Sequence, residues 1–140
     1  MNEKLKLENQ LCFPMYVCAK EIVRRYTPLL EPFGMTYTQY IAMMVLWEHK
    51  QITVRDIGKL LFLDSGTLTP MLKKMERNGW LSRVRSKEDE RMVIVSITEQ
   101  GEALQERLSH IPTQMAQCVK LNTDEAFQLY KLLNKMIQTF

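Results

Sequence analysis

The spacing of apolar residues predicts a mostly helical chain. Between Leu5 and Leu30, apolar side chains recur every three or four residues in two adjacent rows, as in one long helix that buries two stripes. Pro14 lies in this segment and removes the hydrogen bond to the carbonyl of Gln10. We therefore expect a kink or a late helix start near Cys12.

Capping residues predict where the later helices begin. A Ser, Thr, Asp or Asn ahead of an apolar repeat satisfies free backbone N–H groups at a helix start, and Gln or Glu three residues later completes a capping box. The predicted helices are Tyr37–Glu48 after Thr36 with Gln39, about Val54–Phe62 after Thr53, one ending at Arg77 after Asp64 or Ser65 and stopped by Asn78-Gly79, one after Thr98 through Val119, and one after Asn122 with Glu125 to about Gln138.

Two segments break the helical pattern. Trp80–Arg85 and Met92–Ile97 alternate polar and apolar residues and are rich in Val and Ile, which is typical of strands. The sequence SKEDER connects them, so a β-hairpin with a solvated tip is predicted.

The order of these elements predicts the fold class. Two short helices joined by a tight turn and followed by a basic hairpin form a winged helix-turn-helix, so the chain is expected to be mainly α with a small β-hairpin wing. We expect one domain over residues 1–140, in which 1–34 and 98–140 supply dimerisation helices around a reading lobe at 35–97. The alternative is that the apolar stripes of the end helices pack within one monomer.

The fifth predicted helix carries a heptad-like repeat. Its apolar residues are spaced four, three, four and three apart, as in a coiled-coil seam: Leu104, Leu108, Ile111, Met115 and Cys118. This spacing favours a seam in a homodimer, since symmetric homo-oligomers are common among small proteins.

Positive charge is concentrated in the middle of the chain. The formal net charge is +3, but residues 50–91 hold ten Lys and Arg against six Asp and Glu, and the remainder hold nine against ten. This distribution favours a nucleic-acid partner for the central lobe. The alternative is a solvated surface in which acidic neighbours pair with the arginines, with Asp89 and Arg91 as the expected pair.

The fourth helix and the hairpin supply the candidate DNA-binding residues. Small hydroxyls at the start of a recognition helix suit bases or phosphates, and the cations that follow suit phosphates. An arginine at a hairpin tip can enter the minor groove. The candidates are Ser65, Thr67, Thr69, Pro70, Lys73, Lys74, Arg77, Arg85, Lys87 and Arg91, with Asp89 as a wing-stabilising residue and Arg83 beside the hairpin.

Other classes of function have little support. Three cysteines and two histidines without close spacing do not indicate a metal site, and no phosphate-binding loop or catalytic signature is present. We expect no cofactor and no enzymatic activity. The charged start MNEKLKLENQ and the lack of a long apolar run predict a cytoplasmic chain without a membrane partner.

Two segments resemble a known family. The sequence DSGTLTPMLKKMERNGWLSRVRSKEDERMVIVSITEQG is similar to the DNA-binding lobe of the MarR repressors. The sequence LENQLCF, with Tyr26 and TYTQY, resembles its peroxide-sensing OhrR branch. The resemblance covers nearly the whole chain. It implies a homodimer on a pseudo-palindromic operator, with Cys12 as the reactive cysteine held by the hydroxyls of Tyr26 and Tyr37.

This resemblance also implies a redox mechanism. Tyrosine hydroxyls that donate to sulfur favour a thiolate, and an oxidant converts a thiolate to a sulfenic acid, which condenses with a second thiol. Cys18 is six residues along the same helix, a rise of about 9 Å, which exceeds disulfide reach. Cys118 is the candidate resolving cysteine. A mixed disulfide with a small thiol is the other route, and both stay open.

Three alternatives share some of these features. A small aromatic ligand that binds near Tyr37 and Trp47 would make the protein a ligand-released repressor, although such residues more often form core. A broader redox regulator of virulence or resistance would differ only in its target genes. A thiol peroxidase would need a second polar group near Cys12 to activate the peroxide, and none is evident.

Overall fold

A computed structural model describes residues 1–140 and contains seven α-helices and three strands. They are α1 (Cys12–Leu30), α2 (Tyr37–His49), β1 (Gln51–Thr53), α3 (Val54–Leu61), α4 (Ser65–Arg77), β2 (Leu81–Arg85), β3 (Val93–Ile97), α5 (Glu99–Arg107), α6 (Ile111–Cys118) and α7 (Thr123–Ile137). Short 3-10 turns precede α1 and follow it. The predicted winged helix-turn-helix is confirmed as α3, α4 and the β2–β3 hairpin.

The first helix begins late, as Pro14 predicts. It starts at Cys12 and places Pro14 in its first turn. Backbone N–H groups of a first turn have no partner inside the helix, so the N–H that proline lacks is not missed there. The residues before Cys12 form two 3-10 turns instead of a continuous helix.

The predicted helix caps are confirmed by their hydrogen bonds. Thr36 and Gln39 form a complete capping box at α2, and Asn122 and Glu125 form another at α7. At the other three helix starts a side-chain oxygen accepts a backbone N–H of the first turn: Thr53 at α3, Asp64 at α4 and Thr98 at α5. These short-range bonds explain why the local sequence locates the helix starts.

The sheet holds a strand that the sequence does not indicate. Its order is β1-β3-β2, and both pairs are antiparallel, with Ile52 opposite Val95 and Arg83 opposite Val95 on the other side. β1 has only three residues, which is too short for a visible alternation. It forms because β3 offers a free edge, which depends on distant parts of the chain.

The single helix predicted from Thr98 to Val119 is wrong. The structure contains α5 and α6, separated at Leu108, whose ψ is 0°. Pro112 lies in the first turn of α6. It has no N–H to donate to the Leu108 carbonyl, and its ring would clash with that carbonyl in a continuous helix.

The chain divides into two compact units, Met1–Ser109 and His110–Phe140. The first has a core from α2, α3, α4 and the sheet, in which Met43, Leu46 and Ile57 are fully buried. The domain division predicted at 34 and 98 stays a prediction. None of the helices combines the length and the apolar character that a bilayer-spanning segment requires.

The apolar side chains left exposed differ from those of the predicted seam. Leu104, Leu108, Ile111 and Met115 are buried within the single chain, whereas Cys118 is exposed. The seam residues are therefore core, apart from Cys118. Large exposed apolar side chains occur on α7 and at the start of α1 instead: Leu11, Phe13, Tyr16, Phe127, Tyr130 and Leu132.

Candidate DNA interface and redox site

The recognition helix α4 separates a buried face from a polar one. Leu68, Leu72 and Met75 are buried and hold the helix against the core. Ser65 and Thr67 are exposed near its start, where the Asp64 carboxylate accepts the Thr67 N–H at 2.7 Å. Among the other candidates, Thr69 is half-buried and the following are exposed: Pro70, Lys73, Lys74 and Arg77.

The tip of the wing is held by the expected ion pair. Arg91 donates through Nε to Asp89 Oδ1 at 3.2 Å and through its backbone N–H to the same oxygen at 3.1 Å. These bonds lower the pKa of the Asp89 carboxyl below its usual value. Arg91 remains 92% exposed. Asp89 therefore orders the backbone of the tip while the guanidinium stays accessible.

Arg85 and Lys87 complete the cationic side of the wing. The Arg85 guanidinium donates to the Glu90 carbonyl at 2.9 Å, which joins the two arms of the hairpin. Both residues are exposed. Arg85, Lys87 and Arg91, the wing cations predicted to contact DNA, are thus presented to solvent on one hairpin.

An open groove of about 890 Å³ lies between α3, α4 and the wing. Its lining includes six cations and one carboxylate: Arg55, Lys59, Lys73, Arg83, Arg85, Arg91 and Asp89. Six cations against one carboxylate give this lining a formal net charge of +5. Grooves of one charge sign attract ligands of the opposite sign, so this groove suits a polyanion.

Arg55 and Lys59 are groove residues that the sequence analysis did not select. They lie four residues apart on α3 and are exposed on the same face. The spacing is visible in the sequence, but only the packing of α3 beside α4 brings these two cations to the groove. The first helix of a helix-turn-helix crosses the DNA backbone, which is where such cations act.

Four aromatic rings form a cluster in which Tyr26, Tyr37 and Tyr40 contact one another and Trp47 contacts Tyr40. The ring centroids of Tyr26 and Tyr37 are 4.7 Å apart, those of Tyr26 and Tyr40 5.7 Å, and those of Tyr40 and Trp47 6.4 Å. Burial, and then the neighbouring Tyr37, raise the pKa of Tyr26 above its usual value. Tyr26 is therefore protonated at neutral pH and its hydroxyl can donate.

The candidate redox residues do not meet within one chain. Cys12 and Tyr26 lie at opposite ends of α1. Fourteen residues of helix separate them, a rise of about 21 Å, and the contact between the Tyr26 and Tyr37 rings holds Tyr37 at the far end as well. Cys12, Cys18 and Cys118 are all exposed free thiols.

Comparison with known proteins gives a consistent assignment. The family described as Transcriptional regulator SarA/Rot matches residues 24–108. The organic hydroperoxide resistance transcriptional regulator of Bacillus subtilis strain 168 is 45% identical over 137 residues, which cover 98% of this chain and 93% of that protein.

Solved structures agree with this assignment. AbfR is a protein of Staphylococcus epidermidis. The structure of reduced AbfR bound to DNA matches with a TM-score of 0.84 and 35% identity, and the match covers 99% of this chain and 94% of that chain. Disulfide-formed AbfR matches with a TM-score of 0.71 and 34% identity over 98% and 93%.

The fold and the cationic groove define a regulator of the winged helix-turn-helix class. The chain belongs to the SarA/Rot family of transcriptional regulators. The resemblance to the MarR repressors and their hydroperoxide branch is confirmed, and the relatives and neighbours described above are regulators, not enzymes.

Proposed function

We propose that this chain is a homodimeric DNA-binding repressor that releases its operator when an organic hydroperoxide oxidises Cys12. The cationic groove is the observation that carries the DNA-binding half of the proposal. The reduced AbfR bound to DNA, at 35% identity, supports it. The cysteine half rests on the exposed Cys12 thiol and on the hydroperoxide-resistance relative.

The polar face of α4 is the expected reader of the major groove. Ser65, Thr67 and Thr69 face bases or phosphates at its start, and Lys73, Lys74 and Arg77 neutralise phosphates further along. The wing then brings Arg91 to the adjacent minor groove. In a twofold homodimer two such helices enter successive major grooves about 34 Å apart, which requires a pseudo-palindromic operator.

Homodimer formation is supported by the exposed apolar side chains of α1 and α7. Tyr16, Phe127 and Tyr130 are each more than 60% exposed in the single chain. Aromatic residues are enriched in protein interfaces, so each of the two helices exposes side chains of the kind that interfaces bury. A second copy of the chain would cover them.

The separation of Cys12 from Tyr26 along α1 supports a redox site that is shared between two copies. Within one chain Cys12 is about 21 Å along α1 from Tyr26, so no rotamer change brings them into hydrogen-bond contact. If α1 of one copy runs antiparallel to α1 of the other, Cys12 of each copy meets the tyrosine pair of its partner. Tyr26 and Tyr37 then donate to the Cys12 sulfur and favour its thiolate.

The chemical step is an oxygen transfer to sulfur. The Cys12 thiolate attacks the outer oxygen of the hydroperoxide, the O–O bond breaks, and the alkoxide leaves and takes a proton from solvent to give the alcohol. Cys12 becomes a sulfenic acid. A second thiol then displaces its hydroxyl, so that a disulfide and one water are formed. Cys118, exposed at the end of α6, and a small free thiol are the two candidates for this second thiol.

Trp47 offers a physical link from the tyrosine pair to the reading elements. Its ring contacts Tyr40, and its indole N–H donates to the Gly101 carbonyl at 2.9 Å. Gly101 lies in the first turn of α5, whose cap Thr98 donates to the Gly79 carbonyl at 2.6 Å, between α4 and β2. A shift of the rings on oxidation would thus be passed to the junction of recognition helix and wing.

The test is operator affinity before and after one equivalent of cumene hydroperoxide. We would select a duplex from a random library with the reduced chain and measure fluorescence anisotropy at fixed salt. Oxidation is expected to weaken binding at least tenfold, which needs only about 1.4 kcal/mol. The Cys12→Ser variant should bind before and after peroxide, and Cys18→Ser, a matched change on the same helix, should be released like the wild type.

One outcome would contradict the redox half of the proposal. Equal affinity of the reduced and oxidised wild type would remove the redox half and leave DNA binding in place. Mass spectrometry of the same samples shows which thiol reacts with the oxidised Cys12. A Cys12–Cys118 disulfide gives a covalent dimer or an internal bridge, whereas a small thiol adds its mass to Cys12 alone.

A further inference from the structure

We propose that Glu76 is a positioning residue for DNA binding, which fixes the angle between the recognition helix and the wing. The inference rests on the proposed DNA binding but not on the redox switch. Glu76 lies in the last turn of α4, on the side that faces β2, and its carboxylate receives three hydrogen bonds from Arg83. No other residue links the recognition helix to the wing through as many hydrogen bonds.

The bonds use both carboxylate oxygens. Glu76 Oε2 accepts the backbone N–H of Arg83 at 2.8 Å. Glu76 Oε1 accepts from the Arg83 guanidinium at 3.2 Å through Nη2 and at 3.4 Å through Nε. The Arg83 side chain is only 20% exposed, so this pair is screened less by solvent than the pair at the wing tip.

The backbone bond matters because β2 is an edge strand. The sheet order β1-β3-β2 gives β2 a partner on one side only, and its outer N–H groups have no strand to bond. Glu76 satisfies one of them at the centre of the strand. Without the carboxylate, β2 would keep its pairing with β3 but lose its hydrogen bonds to the Glu76 side chain of α4.

The consequence for DNA binding follows from residue alternation. Arg85 lies two residues after Arg83 on β2, so both face the groove beside α4. Arg83 is held by Glu76, while Arg85 is exposed. The Glu76–Arg83 pair therefore sets where Arg85, and Arg91 across the hairpin, stand relative to Lys73 on the helix.

Simple electrostatics and positioning predict opposite results for one substitution. Glu76 is the only acidic residue in α4. If it acted only through its charge, Glu76→Gln would remove repulsion from DNA phosphates and strengthen binding. If it positions the wing, Glu76→Gln weakens binding although the protein becomes more positive.

The experiment compares Glu76→Gln with Glu88→Gln in the reduced full-length chain. The probe is a fluorescein-labelled duplex enriched by the wild-type chain from a random library, which also tests DNA binding itself. Glu88 is an exposed wing residue, so its substitution makes the same charge change and leaves the Glu76–Arg83 hydrogen bonds intact. We expect Glu88→Gln to bind as tightly as the wild type or tighter, and Glu76→Gln to bind about threefold to tenfold more weakly.

A hydroxyl-radical footprint separates positioning from a loss of folding. Glu76→Gln should keep protection where the recognition helices lie and lose it at the outer positions reached by the wing. Glu76→Asp keeps the charge but has a shorter side chain, and it should lose the same outer protection. It replaces Glu76→Gln in the test if that variant is unfolded at the assay temperature. Binding of both variants as tight as that of Glu88→Gln, with full outer protection, would overturn the inference. Failure of the wild type to enrich any duplex would instead remove the proposed DNA binding.

Discussion

The reading lobe and the Cys12 end of α1 differ in how completely a single chain builds them. In the lobe, the cap at Asp64, the Asp89–Arg91 pair and the Glu76–Arg83 pair hold the start of α4, the wing tip and the helix–wing junction. The helix α4 rests on the buried Leu68, Leu72 and Met75. At the Cys12 end, the thiol and the apolar side chains around it are exposed, and the tyrosines assigned to it lie at the far end of the helix.

This difference indicates which property needs a second copy. Local caps and ion pairs are enough to present DNA-contacting side chains, so each monomer should carry a finished reading surface. The proposed redox site combines groups that one chain keeps about 21 Å apart, so under the proposal it forms only in the assembled dimer. Substitutions in the two regions therefore have distinct expected effects.

The largest effect is expected for Gly101→Ala, at the contact of α5 with the reading lobe. A Cβ at position 101 would overlap the carbonyl oxygen of Trp80 and crowd the Ile97 side chain. Helix propensity alone would make alanine stabilising by about 1 kcal/mol, but overpacking of this junction should lower the free energy of unfolding by about 2 kcal/mol or more. Urea denaturation checks the sign. Gln105→Ala, exposed on the same helix, should change stability by less than about 0.5 kcal/mol, and a stabilised Gly101→Ala would contradict the described packing.

A second effect is expected from the groove cations on α3. Arg55→Gln or Lys59→Gln should weaken DNA binding and flatten its salt dependence. The slope of log K against log salt should fall by about 0.9 for each phosphate that is no longer neutralised, and each substitution removes two cations from a homodimer. Anisotropy titrations over a range of salt concentrations measure this slope. Lys4 is an exposed cation outside the lobe, so Lys4→Gln should leave the slope unchanged. An unchanged slope in the Arg55→Gln and Lys59→Gln variants would exclude both residues from the DNA interface.

A smaller effect is expected where the two regions are linked. Trp47→Phe retains a ring against Tyr40 but loses the hydrogen bond to the Gly101 carbonyl. Since such a bond contributes about 1 kcal/mol, the peroxide-induced loss of operator affinity should shrink about fivefold, while reduced binding stays near the wild-type value. Trp80→Phe is the matched control, because the Trp80 backbone rather than its indole bonds to the junction. Full release of Trp47→Phe by peroxide would show that this link is dispensable.

The smallest effect concerns the ionisation of Tyr26 and Tyr40 in the aromatic cluster. Burial raises the pKa of Tyr26 and of Tyr40. Because these pKa values are higher in the folded chain, the associated stability is fully present below the unfolded value of about 10 and is lost as the pH rises above it. Absorbance at 295 nm should show these two groups ionising above the usual tyrosine pKa of about 10. The Tyr26→Phe variant should lack one of these late-ionising groups, and ionisation of Tyr26 at its usual pKa would contradict its partial burial among the aromatic rings.

Much of the fold could be predicted because its signals are local. Thr36, Thr53, Asp64, Thr98 and Asn122 each bond within three residues, so the helix starts can be read from short sequence windows. The Asp89–Arg91 pair is equally local. The recognition-helix face follows from the spacing of Leu68, Leu72 and Met75.

The features that escaped prediction depend on distant partners. β1 forms by pairing with β3. The Glu76–Arg83 pair forms because the hairpin packs alongside α4. The break between α5 and α6 is an exception, since Pro112 is visible in the sequence. A strong heptad spacing on both sides of this proline favoured one helix, and the steric effect of the ring on the Leu108 carbonyl outweighed it.

The central claim is tested most directly with mixed dimers. One copy carries Cys12→Ser, the other carries Tyr26→Phe with Tyr37→Phe, and each has its own affinity tag so that only the heterodimer is purified. If the redox site joins two copies, the Cys12 of the tyrosine-deficient copy meets an intact tyrosine pair. This heterodimer should then react with cumene hydroperoxide at that cysteine at the wild-type rate per site and be released from the operator. Reaction no faster than in the homodimer lacking both tyrosines would contradict a shared site.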